Sequence, residues 1–221
     1  EVIEVTSQKR TQTLQEVPAT ITALPSDEIE KYGVDDLFEI ADLVPGMVFS
    51  RAPDDGLALT LRGLGTPART QSFDQSVALF QDGMFVGKGR MYSAAFFDVE
   101  RIEVIKGTQS TLLGKNTSLG AISIVSRKPT DEFEAEFGVG IETEHETTFF
   151  EGVISGPISD NLLARLAFGT SETDEIRENY SFANDPMPYG NGTKPYFGEE
   201  STNARLTLLW TPTETLTAKL K

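Results

Sequence analysis

The 221-residue sequence has no cysteine and a single histidine. The first absence excludes disulfides and thiolate metal sites. The second leaves no Ser-His-Asp arrangement to argue for, because His145 sits among acids in the polar run from Glu142 to Thr148. A lone loop histidine of this kind is ordinarily solvated rather than a metal ligand. No apolar run approaches the length of a membrane-spanning helix, so any membrane crossing would have to be made by strands. No signal peptide opens the chain; a polar start at Glu1 is what an exported protein shows after processing, and equally what a trimmed one shows. Positive charge is scarce, with Lys+Arg 19 against Asp+Glu 34 and a net charge of -15. Such a chain repels phosphate backbones and anionic membrane surfaces, so no nucleic-acid partner is expected.

What is present suffices for a core: 38% of residues are hydrophobic, and 14 are Phe. Three textures follow one another. A short polar start carries one β-prone patch, Val2-Ile3-Glu4-Val5-Thr6. A mixed α/β stretch runs to about residue 130. Within it Val17 to Leu24 reads as a strand ended by Pro25, and Asp35 is placed to cap a helix whose apolar face is Leu37, Ile40, Ala41 and Val44. Pro45-Gly46 stops that helix. Leu57 to Arg62, Val77 to Phe80, Val99 to Lys106 and Ala121 to Ser126 read as strands, and Asp82-Gly83 ahead of Met84-Phe85-Val86 as a hairpin turn.

From about residue 131 the pattern becomes regular alternation. Phe133, Ala135, Phe137, Val139 and Ile141 are separated by acids and glycines, which puts apolar groups on one face of a strand. Leu162 to Thr170, Thr202 to Trp210 and a strand from Thr215 repeat the pattern, while Phe149 to Ile158 does so less cleanly. The links alternate between short turns, such as Gly156 to Asp160 and Thr211 to Glu214, and one long polar loop, Glu172 to Glu200. Alternation of this kind fits both a soluble antiparallel sandwich and an outer-membrane barrel. The long loop, with Trp210 where an aromatic girdle would lie, favours the barrel.

Several stretches resemble chemistry without carrying it. Gly107 to Lys115 has six residues between its glycines, and Asn116 follows the lysine, so it is not a phosphate loop. Asn116-Thr117-Ser118, Asn179-Tyr180-Ser181 and Asn191-Gly192-Thr193 are glycosylation triplets of the kind that arise by chance. Asp54-Asp55 and Asp174-Glu175 could hold calcium loosely but read as solvated loop charge. No carboxylate sits in an apolar segment that would tune it for catalysis. No catalytic residue, metal site or cofactor is expected.

An ordered series of motifs does carry information. It runs Leu43-Val44-Pro45-Gly46, Leu61-Arg62-Gly63, Leu79-Phe80-Gln81-Asp82-Gly83, Phe97 to Gly107 with Glu100-Arg101-Ile102-Glu103-Val104 at its centre, Leu112-Leu113-Gly114, and Gly120 to Pro129. The series resembles the plug of TonB-dependent outer-membrane receptors, with its LPGV, IRG, VDG-type, ERIEVLRGP, LYG and GGAINIVTRKP elements. Thr108, Leu113, Leu119 and Ser123 depart from it; a side chain at Leu119, where the family has the first glycine of a pair, is expected to strain a tight turn. Glu1 to Ser7 is similar to the family's TonB box, with Glu4 in place of an apolar residue.

The resemblance implies an α+β plug domain over 10–130, a box-like segment over 1–9, and over 131–221 the first strands of a transmembrane β-barrel of roughly 22 strands whose remainder is not present. It implies an outer-membrane transporter of a diderm bacterium, with no enzymatic activity and with its plug towards the periplasm. Val2, Ile3, Glu4, Val5 and Thr6 would add as a strand to the periplasmic domain of TonB. Arg51, Arg69, Gln71, Arg90 and Tyr92, on segments matching apical plug loops, would contact the substrate: most often a ferric siderophore in this family, otherwise haem, cobalamin or a carbohydrate. On the strands, Phe137 and Val139 would meet outer-membrane lipid with Leu166 and Leu208, and Glu136 and Arg205 would line the lumen. A soluble signalling or binding module derived from a plug is the rival reading; it would not need the alternating strands after Pro129.

Overall fold

The computed structural model describes all residues except 1–3, 7–9, 11, 35–36, 52–56, 67–74, 88–96, 144–146 and 174–198. The chain divides into two compact units, Glu1–Arg127 and Lys128–Lys221.

The first unit opens with two short paired strands, β1 (Glu4–Val5) and β2 (Gln12–Thr13). Then come β3 (Thr20–Pro25), α1 (Ser26–Lys31) and α2 (Leu37–Leu43). The strands β4 (Met47–Arg51), β5 (Leu57–Leu61) and β6 (Leu64–Gly65) form a small antiparallel sheet. They are followed by β7 (Val77–Gln81), β8 (Met84–Val86), β9 (Val99–Lys106), α3 (Ser110–Leu113) and β10 (Gly120–Ser126). A five-stranded sheet in the order β3-β9-β10-β7-β8 is the centre of the unit, with β7 and β10 its parallel pair.

Both faces of this sheet are covered, and period two sorts the side chains between them. Ile102, Val104, Ile122, Ile124, Val77 and Leu79 join a large core against α2, which contributes Leu37 and Ile40, with Val44 just beyond its end. These are the helix positions expected from spacing; the proposed cap, Asp35, lies outside the described residues. Ile105, Ala121, Ala78 and Phe80 form the core of the opposite face with Ala19, Ile21 and Leu113 packed on it. The strand expected from Val17 starts only at Thr20. It ends at Pro25 as expected, and Pro25 leads directly into a helix, Ser26–Lys31, because proline is tolerated just ahead of a first helical turn.

Two hairpins depend on left-handed backbone. Asp82 (φ 50) and Gly83 (φ 81) join Gln81 to Met84, and Arg62 (φ 54) and Gly63 (φ 77) join Leu61 to Leu64. Positive φ at both central residues is the primed turn that matches the twist of the flanking strands. Asp82 is fixed further: its carboxylate accepts from the Ser126 backbone N–H at 3.1 Å and the Ser126 hydroxyl at 2.7 Å. The expected strain at Leu119 does not occur. Its φ is not in the left-handed region, and its side chain packs against the large core. The glycine that cannot be replaced is the next one: a Cβ on Gly120 would lie 2.4 Å from the Ile105 carbonyl oxygen.

The second unit is an antiparallel meander of β11 (Glu134–Glu142), β12 (Thr147–Ser159), β13 (Leu162–Thr173), β14 (Glu199–Thr213) and β15 (Leu216–Leu220). Its strands run further than alternation alone suggested, and Thr173 still pairs with Glu199. Cross-strand contacts fix the register. The Phe137 ring lies over Gly152, where a Cβ would come within 3.0 Å of it, and the Phe149 ring lies over Gly140 at 2.2 Å from such an atom. Aromatic rings covering cross-strand glycines pin pairing in sheets.

Candidate functional site

Three parts of the structure bear on function: the N-terminal segment, the convergence of the motifs, and the two faces of the second sheet. Of the five residues in the box-like segment, Glu4, Val5 and Thr6 are described; Val2 and Ile3 lie outside. Val5 is 1% exposed although it belongs to a two-residue strand. Glu4 and Val5 pair with Thr13 and Gln12, and Thr13 is held by hydrogen bonds in both directions with Glu16. Thr6 is fastened to β9. Its backbone N–H donates to Glu103 Oε1 at 2.8 Å and its hydroxyl donates to the same oxygen at 3.2 Å. Arg101 Nε also donates to that oxygen, at 2.9 Å, while Arg101 Nη2 donates to Thr6 Oγ1 at 3.0 Å. Arg101 pairs in addition with Glu100. Glu103 is fully buried, and its second oxygen, Oε2, has no hydrogen-bond partner among the described residues.

The motif segments, separated in sequence, meet in space. Arg62 N–H donates to the Gly46 carbonyl at 2.6 Å, and Lys106 Nζ donates to the Pro45 carbonyl at 3.0 Å. Burial, together with the nearby Arg62 guanidinium, lowers the Lys106 ammonium pKa from its ordinary value. Thus the Val44-Pro45-Gly46, Leu61-Arg62-Gly63 and Ile105-Lys106-Gly107 elements close around one another, and their identities follow from the turns and carbonyls they must satisfy.

Of the five proposed substrate contacts, Arg51 ends β4 opposite Leu57. Arg69, Gln71, Arg90 and Tyr92 lie outside the described residues, as do His145 and the Asp54-Asp55 and Asp174-Glu175 pairs. The base of the loop carrying Arg69 and Gln71 is described: Thr66 Oγ1 accepts from the Ser76 N–H at 2.9 Å and is 2.9 Å from the Ser76 hydroxyl, which joins the two ends. Among the described residues no group of His, Asp and Glu could hold a metal ion.

The second sheet has two unlike faces. Its register puts Ala135, Ile154, Leu166 and Leu206 in one row, Phe137, Gly152, Phe168 and Ala204 in the next, and Leu162, Trp210 and Ala218 near the short turns. Phe137 is 69% and Val139 82% exposed. The other face carries Glu134, Glu136, Ser155, Arg165, Arg205 and Thr207. Arg165 and Thr207 are buried; Arg165 pairs with Glu134 at 3.6 Å, and Ser155 Oγ accepts from the Thr130 N–H at 2.9 Å. A face of exposed aromatic and branched side chains opposite a face that buries Ser155, Arg165 and Thr207 is the reverse of a soluble sheet.

Residues 13–121 match the model of the TonB-dependent receptor plug domain. The chain belongs to the TonB-dependent receptors. Among the relatives of this receptor chain, the iron-regulated outer membrane virulence protein of Vibrio cholerae is 25% identical over 209 residues, covering 88% of this chain and 30% of that protein. The pesticin receptor of Yersinia enterocolitica is 28% identical over 166 residues, 73% of this chain and 24% of that one. The crystal structure of the ferric yersiniabactin uptake receptor of Yersinia pestis superposes with a TM-score of 0.75 at 21% identity, over 89% of this chain and 29% of that chain. The chain therefore spans less than a third of the length of these proteins. Its fold is a receptor plug followed by antiparallel strands of a transmembrane β-barrel that does not close among the described residues, and its compartment is the outer membrane.

Sequence reasoning singled out Thr6 but missed the pair that holds it. Arg101 and Glu103 share parity with the buried Ile105, so alternation along Val99–Lys106 does place two charged side chains on a covered face. That was the available signal.

Proposed function

We propose that this receptor imports a ferric siderophore across the outer membrane, driven by TonB acting on residues 2–6. What carries the reading is the joining of a plug to strands whose apolar face is exposed. Along β13 the stretch from Leu162 to Thr170 covers about 26 Å at roughly 3.3 Å per residue. Tilted by about 40° it rises about 20 Å, which suits a lipid-facing band about 25 Å tall. Lipid would meet Phe137, Val139, Leu166 and Leu208. Transport receptors make up the relatives, so binding and conformational change, not catalysis, are the expected work. The choice of a ferric chelate draws on relatives named for ferric yersiniabactin uptake and for iron regulation. Arg51, Arg69, Gln71, Arg90 and Tyr92 would supply cationic and polar contacts to an anionic chelate.

Two measurements test this reading. Cells expressing the whole receptor should accumulate radiolabelled iron from a ferric siderophore, and uptake of haem, cobalamin or a carbohydrate instead would reassign the substrate. Coupling is tested with Val5→Pro, which removes a backbone donor and fixes φ in the segment that would pair with TonB. Uptake should fall at least tenfold while substrate binding to the cell surface persists; normal uptake would show that residues 2–6 are not the coupling element.

A further inference from the structure

We propose that Glu103, braced by Arg101, is a clasp that keeps the N-terminal segment folded onto the plug and so limits how much of it is free to pair with TonB. The inference rests on the coupling role proposed above for residues 2–6.

Three observations converge on it. First, one carboxylate oxygen gathers three donors, two of them from Thr6, across 97 positions of sequence. Second, the guanidinium that braces the acid also reaches back to the Thr6 hydroxyl, so Thr6, Glu103 and Arg101 form a closed ring of hydrogen bonds. Third, Glu103 is buried with Oε2 lacking a described partner, an arrangement the core of the plug does not require. A buried carboxylate with one idle oxygen is costly, and what offsets the cost here is the holding of Thr6. The neighbouring positions on this face, Ile105 and Ala121, show that apolar residues pack there without difficulty.

The clasp also explains why Val5 is buried. A two-residue strand paired only to another two-residue strand has little hold of its own. With Thr6 fastened, Val5 is kept in place; with Thr6 released, β1 has only its pairing with Gln12 and Thr13. Addition of the segment to a partner's sheet needs an extended backbone with free donors, and the Thr6 N–H is not free while Glu103 holds it. The equilibrium between clasped and released segment thus sets the fraction competent to bind, and apparent affinity scales with that fraction.

The experiment uses the whole receptor in outer-membrane vesicles with Val5→Cys as reporter, any other cysteine having been replaced. A thiol at this buried position reacts with a maleimide only when the segment is released. Glu103→Gln, which weakens charge-assisted bonds to neutral ones, should raise the labelling rate about tenfold. Thr6→Val, which removes the hydroxyl and leaves the interior of the plug untouched, should raise it about threefold and guards against misfolding of the first variant. Glu100→Gln, which alters the other carboxylate paired with Arg101, should stay within about twofold of the parent. Unchanged labelling in both Glu103→Gln and Thr6→Val overturns the clasp. In receptors without the reporter, binding of the periplasmic domain of TonB should tighten in Glu103→Gln. Faster labelling without tighter binding would leave the clasp standing and remove the coupling role of residues 2–6.

Discussion

The two five-stranded sheets of this chain solve opposite problems. In the plug, β9 and β10 are covered on both faces, and residues of both parities are buried: Ile102 and Val104 on one side, Ile105 and Glu103 on the other. In the second unit the buried polar side chains share one parity, with Ser155, Arg165 and Thr207 inside beside Ala167, while Phe137, Val139 and Leu166 of the other parity are exposed. Alternation therefore does not tell which face is hidden. It tells that the faces differ, and the solvent decides which is the outside. For the plug that solvent is water and the hydrophobic effect buries the apolar side chains. For the second sheet the exposed side is the apolar one, the pattern expected of strands that meet hydrocarbon.

The contrast is most readily broken in the plug core. Residues 10–130 expressed alone are expected to be soluble, with mixed α/β circular dichroism and a cooperative melt. In that piece Ile40→Ala, at a position with no exposure, should cost about 2–5 kcal/mol in urea denaturation. A random-coil spectrum for the parent piece would show that the plug depends on the strands. On the second sheet the expected effects depend on face. Val139→Lys should cost roughly 2–4 kcal/mol if that face meets lipid near the midplane. Gly138→Lys, on the opposite face beside the flexible Glu151 side chain, should cost much less. The readout is the yield of heat-modifiable folded barrel in the outer membrane; equal yields would reverse the facing and restore the soluble-sandwich reading. The smallest effect is expected at a turn. Gly63→Ala puts a side chain at φ 77 with open space around it, so only backbone strain is added, about 1 kcal/mol, seen as a small shift in the melt of the plug piece.

Much of this was legible because it is local. The α2 face, the Asp82-Gly83 hairpin and the strand parities follow from spacing within a few residues, and the ordered motifs name the family. The N-terminal helix after Pro25 was not legible, since Ser26-Asp27-Glu28 reads equally as a polar turn. The concern over Leu119 was misplaced by one residue. The need for glycine at 120 comes from the Ile105 carbonyl on a neighbouring strand, which spacing cannot reveal. Of the candidate contacts with substrate, most lie outside the described residues, so their role rests on motif position.

By itself the sequence determined the alternation, the Asp82-Gly83 turn, the charge balance and the absence of thiol chemistry, because each depends on residue type and near neighbours; Arg62, read as the end of a strand, is instead the first residue of a second such turn. Only the tertiary structure decided that Thr6 meets Glu103 and Arg101, that Arg62 and Lys106 close on Pro45-Gly46, and that Glu134 reaches Arg165. Those meetings join residues tens of positions apart, and they are set by strand order and register, which a linear pattern leaves open.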